Sequence, residues 1–440
     1  MGFKLSLTTV SKLWHALGQE VLWDFVWIRS GKHAERVLGI LDAKAPTEGK
    51  RVETYAYHTR NLGRHIRRLH IEPSSDPALD FDRCNPETIL RILKHAKGLQ
   101  VFSDFRGIRR RSKFGVWDDD PLLTALLSPS SSLLKRLSWT SYDHPVPSLS
   151  SVVGPKIQMA AERLEFLELT LCAGGLGRES GGWLDSMLEL PVLRSLKATL
   201  DNATFHVLST WSIPVLLNLS VISADFSYAG DGFREFFEAH GAKLRQLELG
   251  HSTEAIEDHF LSASPQPSFE GTGWRYGGMR IPLAEWCPGI EQFIFSAEAE
   301  WNWQDSDWIT PHILLPAHPT LELIGVRGLE KCIREGLNRL EGDEAFLKLT
   351  EQFGSLFNRE AYPALKYVRD LGWESAAMRS GGLQRRLVIQ QHRRVLRFWM
   401  CVLEICRERG VYLEDWAGWN VTAGEIRRVA MAEVELTMEC

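Results

Sequence analysis

What most constrains this chain is a short apolar signature, Leu-x-x-Leu-x-apolar, that returns along most of its length. Copies stand at Ile66, Leu69, Ile71; more loosely at Leu99, Phe102; and at Leu134, Leu137, Trp139; Leu164, Leu167, Leu169; Leu193, Leu196, Ala198; and Leu216, Leu219, Val221. Later copies are Leu244, Leu247, Leu249; Ile290, Phe293, Phe295; Leu321, Ile324, Val326; and Leu365 with Val368. Proline stands two residues before the first apolar position at Pro191, Pro214, Pro288, Pro319 and Pro363. Alternating apolar residues over so few positions suit a short strand with one buried face, and the intervening residues look outward.

First positions recur at roughly 23 to 46 residues, centred near the length at which one strand plus one helix makes a leucine-rich repeat. Helix signals fill the gaps. Asn85 reads as an N-cap, with Pro86 at the first helical position, Glu87 in the first turn, Ile89, Ile92, Leu93 and Ala96 on one face, and Gly98 as the stop. Phe233, Phe236, Phe237 and His240 before Gly241 repeat this logic, as do Trp183, Met187 and Leu188 before Pro191. A strand and a helix of this kind cannot bury their faces alone, so neighbours must stack. The predicted fold is an α/β leucine-rich-repeat-like solenoid over 31–380, with a helical N-terminal segment 1–30 and a helical C-terminal cap 381–440.

Strand alternation then nominates a concave binding face: Ser138, Thr140, Glu168, Thr170, Lys197, Thr199, Ser220, Ile222, Glu248, Ile294, Ser296 and Arg327. Two stretches break the period. Ser252 to Arg280 reads as a loop insertion. The Trp-rich acidic run Glu300 to Trp308 either packs over the end of a repeat or forms a partner-binding loop, and packing is the simpler reading.

At the ends the pattern changes. Phe3, Leu7, Val10, Trp14, Leu17 and Val21 fall on one helical face, and a helix is predicted from about Gly382 to Arg409, stopped by Gly410. Leu7 to Trp14, then Leu22-Trp23 and Val26 to Gly31, resemble the last F-box helix and its exit segment in fungal F-box and leucine-rich-repeat proteins. His318 to Gly328 is similar to a late repeat of mushroom-type members, and Cys406 to Trp416 to their closing helix and strand. The resemblance implies a substrate-recognition subunit of a cullin-type ubiquitin ligase, with the repeats choosing the target and Leu7, Val10 and Trp14 meeting a Skp-type adaptor. The family's F-box opens with a Leu-Pro motif and two further helices, and almost nothing precedes Leu7. The true start then lies upstream, or ligase docking has been lost and the repeats serve as a ligase-independent scaffold.

Composition narrows the remaining classes. Hydrophobic residues make up 44% and charged residues 24%, so composition alone forces no long part of the chain to be disordered. A formal charge of -5 offers no general attraction to nucleic acid or an anionic membrane. Seven scattered cysteines without a CxxC pair argue against a disulfide framework or a zinc site. Neither a signal peptide nor an apolar run long enough for a membrane span is evident, so a cytoplasmic or nuclear location is expected. The triplets at Asn202, Asn218 and Asn420 then read as chance matches, and so does the Met1 to Ser6 match to a myristoylation signal.

Catalytic signatures fail on their spacing. Gly174 to Gly181 misses the dinucleotide register, Ser30-Gly31-Lys32 lacks the upstream glycine of a P-loop, and no G-x-S-x-G or H-E-x-x-H occurs. No enzyme and no cofactor are expected. The basic run Arg106, Arg109, Arg110, Arg111, Lys113 reads as a solvated loop, and Arg385, Arg386, Arg393, Arg394 and Arg397 as the wet face of the terminal helix.

Overall fold

A strand of four or five residues buries one face through alternate side chains and gains pairing partners only from neighbours placed at the same register. The recurring signatures meet both conditions. The structure, a computed structural model, describes residues 12–42, 62–72, 83–105, 107–109, 121–128, 133–139, 153–170, 187–199, 202–222, 231–250, 283–296, 315, 317–327, 357–372 and 393–426. The chain divides into two compact units, Met1–Leu216 and Leu217–Cys440.

The first unit runs α1 (Lys12–Asp24), β1 (Phe25–Ile28), α2 (Gly31–Asp42), β2 (Arg68–Ile71), α3 (Pro86–His95), β3 (Val101–Asp104), α4 (Pro121–Leu127) and β4 (Arg136–Trp139). It continues with α5 (Val153–Gln158), β5 (Phe166–Thr170), β6 (Ser195–Thr199) and α6 (Asn202–Ser209). Each strand pairs in parallel with the next, and Val26, Leu69, Phe102, Leu137, Leu167 and Leu196 are successive partners in one row. That row is buried along its whole length.

The second unit holds β7 (Asn218–Ile222), α7 (Asp231–His240), β8 (Gln246–Gly250), α8 (Leu283–Trp286), β9 (Gln292–Ser296), β10 (Leu323–Arg327), β11 (Tyr367–Asp370), α9 (Arg393–Arg409) and β12 (Tyr412–Glu414). Its strands are also parallel neighbours in chain order, with Leu219, Leu247, Phe293, Ile324, Val368 and Leu413 as the matching buried row. Parallel neighbours need a return segment, which explains the helices between them.

One hydrogen-bond pattern fixes the approach to β3, β4, β5, β6, β8, β9, β10 and β11. The carbonyl of the residue before a strand accepts two N–H groups from the next coil. Gln100 O takes Lys135 N at 2.8 Å and Arg136 N at 3.0 Å; Lys135 O takes Glu165 N at 2.8 Å and Phe166 N at 3.1 Å. Arg245 O accepts Glu291 N and Gln292 N at 2.8 and 3.0 Å, and Glu322 O accepts Lys366 N and Tyr367 N at 2.9 and 3.0 Å. Repeating this contact keeps these registers unshifted, so the apolar set never rotates to the wrong face.

The helices follow their predicted signals closely, with instructive exceptions. Asn85 caps α3 by accepting Glu87 N at 2.9 Å, Pro86 opens it, and Ile89 and Ile92 are buried. The cap at the other end is Ala96, not Gly98. A Cβ at Gly98 would sit 3.0 Å from Arg64 O, so close approach explains this glycine. Phe233, Phe236 and Phe237 of α7 are fully buried, and a Cβ at Gly241 would meet Trp286 O at 2.6 Å. Gly410 ends α9 with φ 67°, which an L side chain resists. Met187 and Leu188 were expected on a helix, but they lead through an isolated bridge at Glu189 to Ser212, and Met187 is exposed.

At the N-terminus, the described end of the expected apolar stripe does not face a core. Leu17 and Val21, one turn apart on α1, are 48% and 52% exposed. Val26, Trp27 and Ile28, read as the exit from a helical module, form β1 and pair with β2. The division at Leu216 falls inside the expected array 31–380. The insertion 252–280, the run 300–308, the glycine segment 174–181, Gly2 and Lys113 lie outside the described residues. So do Arg106, Arg110, Arg111, Arg385 and Arg386.

Candidate protein-interaction face

The residues between the buried rows form rows of their own on the opposite sheet face. In the first unit the central row reads Trp27, His70, Ser103, Ser138, Glu168, Lys197, each the register partner of the next. In the second it reads Ser220, Glu248, Ile294, Gly325, Arg369, Glu414. A second row, one alternation earlier, carries Phe25, Arg68, Val101, Arg136, Phe166 and Ser195, and in the second unit ends on Tyr367 and Tyr412. The same fold that aligns the core therefore aligns polar and aromatic groups on the outward face.

The carboxylates of the central rows are buried and internally neutralised. Glu168 lies 2.7 Å from Lys197 Nζ, and its side chain is 7% exposed against 31% for the lysine. Ser220 Oγ donates to Glu248 Oε2 at 2.7 Å, and Arg327 donates to Oε1 of the same group. Arg369 donates to Glu414 Oε2 through Nε at 2.9 Å and Nη2 at 2.7 Å. Removing a carboxylate from water is tolerable only with such partners. A visiting partner consequently meets the cations, which remain part-exposed, more than the acids.

On the first unit several cations also stack on rings. Arg29 lies 4.0 Å from the Trp27 ring centroid, Arg136 4.6 Å from Phe166, Arg68 5.7 Å from Phe25, and Lys197 6.0 Å from Phe105. Stacking restrains the long side chains, and Arg68 and Lys197 also spend donors on Asp24 and Glu168.

Of the predicted face residues, Lys197 and Ser220 are half-buried and Arg327 is exposed. Ser138, Glu168, Glu248 and Ile294 take the outward side of their strands but are buried, at 6%, 6%, 5% and 6% exposure, so the expectation of open solvent contact fails for these four. The ion pairs explain the two glutamates. Thr170, Thr199, Ile222 and Ser296 occupy strand positions, and Trp14 lies on α1, with side chains outside the described set; Thr140, Leu7 and Val10 lie outside the described residues altogether. Arg68, Arg136, Phe166, Tyr367 and Arg369 were missed, although extending the alternation to the neighbouring outward positions would have found them.

Among the described residues no group of His, Cys, Asp and Glu is arranged to hold a metal ion, and no helix is long and apolar enough to cross a membrane. No protein-family profile matches the chain, and no curated protein matches it either.

Proposed function

We propose that this chain is a leucine-rich-repeat-like protein that recognises another protein through the outward rows of its strands, acting as the substrate-recognition subunit of a cullin-type ubiquitin ligase. The observation that carries the recognition half is the unshifted parallel register. It sets twelve strands in two sequential sets, each presenting aligned charged, polar and aromatic side chains. Aligned aromatic and guanidinium groups are the residue types that dominate protein interfaces. The role needs no catalytic residue, cofactor or metal, and it suits a cytoplasmic or nuclear protein.

The ligase half rests on the N-terminal resemblance and on the exposed pair Leu17 and Val21 of α1, which share the helical spacing of Val10 and Trp14 in the sequence. Adaptor docking requires such an unpartnered apolar helical face. A second reading, the ligase-independent scaffold, is favoured by the seating of α1. Glu20 lies 3.5 Å from Arg67, and Arg68 Nε donates to Asp24 Oδ2 at 3.1 Å, so the helix is tied to the β2 coil as a terminal cap would be.

The two are separated by co-expressing the chain with a Skp-type adaptor and measuring capture. The ligase reading expects stoichiometric capture that Leu17→Asp with Val21→Asp abolishes while the thermal unfolding profile is kept. No capture supports the scaffold, whereas capture that survives this pair keeps the ligase reading and moves docking off Leu17 and Val21.

A further inference from the structure

The outward face of the first unit differs from that of the second in charge. Among the described residues, the outward positions on and immediately after β1 to β6 carry the cations Arg29, Arg68, Arg136 and Lys197 against the carboxylates Glu72 and Glu168. The equivalent positions of β7 to β12 balance, Arg327 and Arg369 against Glu248 and Glu414. The excess is local, because the whole chain carries a formal charge of -5.

Pairing sharpens the contrast. Lys197 is neutralised by Glu168 and Arg68 by Asp24, whereas neither Arg29 nor Arg136 makes an ion pair with a carboxylate among the described residues, Arg136 acting on Glu165 only at longer range. Each of these two guanidinium groups instead lies on an aromatic ring, Arg29 on Trp27 and Arg136 on Phe166. Phe25 and Trp27 are themselves 48% and 39% exposed. Two ring-stacked guanidinium groups without an ion pair among the described residues, on a face that also carries exposed rings, make a surface that attracts carboxylates and covers apolar side chains.

Resting on the reading that the outward rows recognise a protein, we propose that the face of β1 to β4 binds an extended acidic segment of the partner, its carboxylates meeting Arg29 and Arg136 and its apolar side chains resting on Phe25 and Trp27. Strands β1 and β4 stand three spacings apart, about 14 Å, and Arg29 lies four register positions, about 13 Å, beyond Arg136, so the two are about 20 Å apart and an extended peptide joins them in about six residues. Single-stranded nucleic acid also favours basic and aromatic surfaces. The peptide fits better because a continuous run of phosphates would meet the exposed Glu72 at the end of β2, whereas a peptide of alternating residues can set an apolar side chain there.

The test uses the full chain and a fluorescein-labelled peptide of about eight alternating Glu and Leu residues, with Gln replacing Glu in a matched control. Fluorescence anisotropy should show binding of the acidic peptide, weaker in high salt, and at least about tenfold weaker binding of the control. Arg29→Ala and Arg136→Ala should each weaken it about five- to tenfold with unchanged thermal unfolding, and Arg136→Lys should recover part of the loss. If either alanine variant unfolds, the other carries the measurement. Equal binding of both peptides, or binding of neither, overturns the proposal, as does oligothymidylate that binds more tightly than the acidic peptide. Peptides selected from a random library that carry no acidic excess yet compete at Ser103 or Tyr367 overturn the acidic partner alone and leave protein recognition standing.

Discussion

Leu167 is the most informative residue to truncate. It is fully buried and sits in the apolar row between Leu137 and Leu196. Leu167→Ala removes apolar carbons at about 0.8 kcal/mol each, about 2.4 kcal/mol of lost transfer energy. The cavity left between two fixed neighbours adds to this, because strands held on both sides in unshifted register cannot collapse inward, giving about 3 to 4 kcal/mol within the usual span for such substitutions. Leu247, equally buried between Leu219 and Phe293, should cost the same in the second unit. Urea unfolding followed by tryptophan fluorescence and circular dichroism reads both. Met159→Ala is the control, since Met159 is 47% exposed and should change stability by no more than about 0.5 kcal/mol. Losses below about 0.5 kcal/mol at both leucines would refute the buried row and with it the register of the repeats.

Glu168 and Lys197, like Glu248 and Arg327, are partners, so reversing all four charges preserves both attractions; Glu168→Lys alone should destabilise the fold, and Lys197→Glu added to it should restore part of the loss, seen as a positive coupling in a double-mutant cycle. Burial lowers the pKa of His318 below its ordinary value of 6.5, with the Cys287 carbonyl opposing, because Nε2 donates to that carbonyl at 2.9 Å and the buried ring favours the neutral form. The unfolded chain takes up this proton first, so stability should hold above about pH 6.5 and fall on acidification below it, and His318→Asn should flatten that slope in pH-dependent urea unfolding. Gly241→Ala places a Cβ 2.6 Å from the Trp286 carbonyl and should lower the melting temperature clearly, whereas Gly39→Ala, with open space around the site, should not. Asn85→Ala should cost about 1 kcal/mol through loss of the α3 cap, measured by the same unfolding assay.

The strands were legible because their signal is local and periodic. Leu137, Leu167, Leu196, Leu219 and Leu247 announce themselves by spacing alone, and each occupies the predicted buried row. Strand β1 escaped this reading although Trp23, Val26 and Ile28 keep the spacing, because the segment also reads as the exit from a helical module. Strand β12 has Gly410 and Asp415 at the outer positions, so only the resemblance to a closing strand announced it, and pairing to β2 and β11 places both in the ladder. The outward face was half legible. Alternation assigned Glu168 and Glu248 to the correct side of the sheet, but exposure there depends on partners one or two strands away in space. Arg327 follows Glu248 by 79 positions, beyond any local pattern. Glycines showed the same limit: Gly410 could be read as a helix stop from its setting, whereas Gly98 owes its identity to the carbonyl of Arg64.

The claim that the outward rows hold the partner is tested most directly by placing a photo-crosslinking benzoylphenylalanine at single sites in cells. Trp27, Ser103 and Tyr367 lie on the outward rows, and Lys94 and Glu404 lie exposed on α3 and α9. Discrete crosslinked protein adducts at Trp27, Ser103 or Tyr367, with none at Lys94 and Glu404, are the predicted result. Adducts confined to Lys94 and Glu404 would contradict the account and move recognition to the helices.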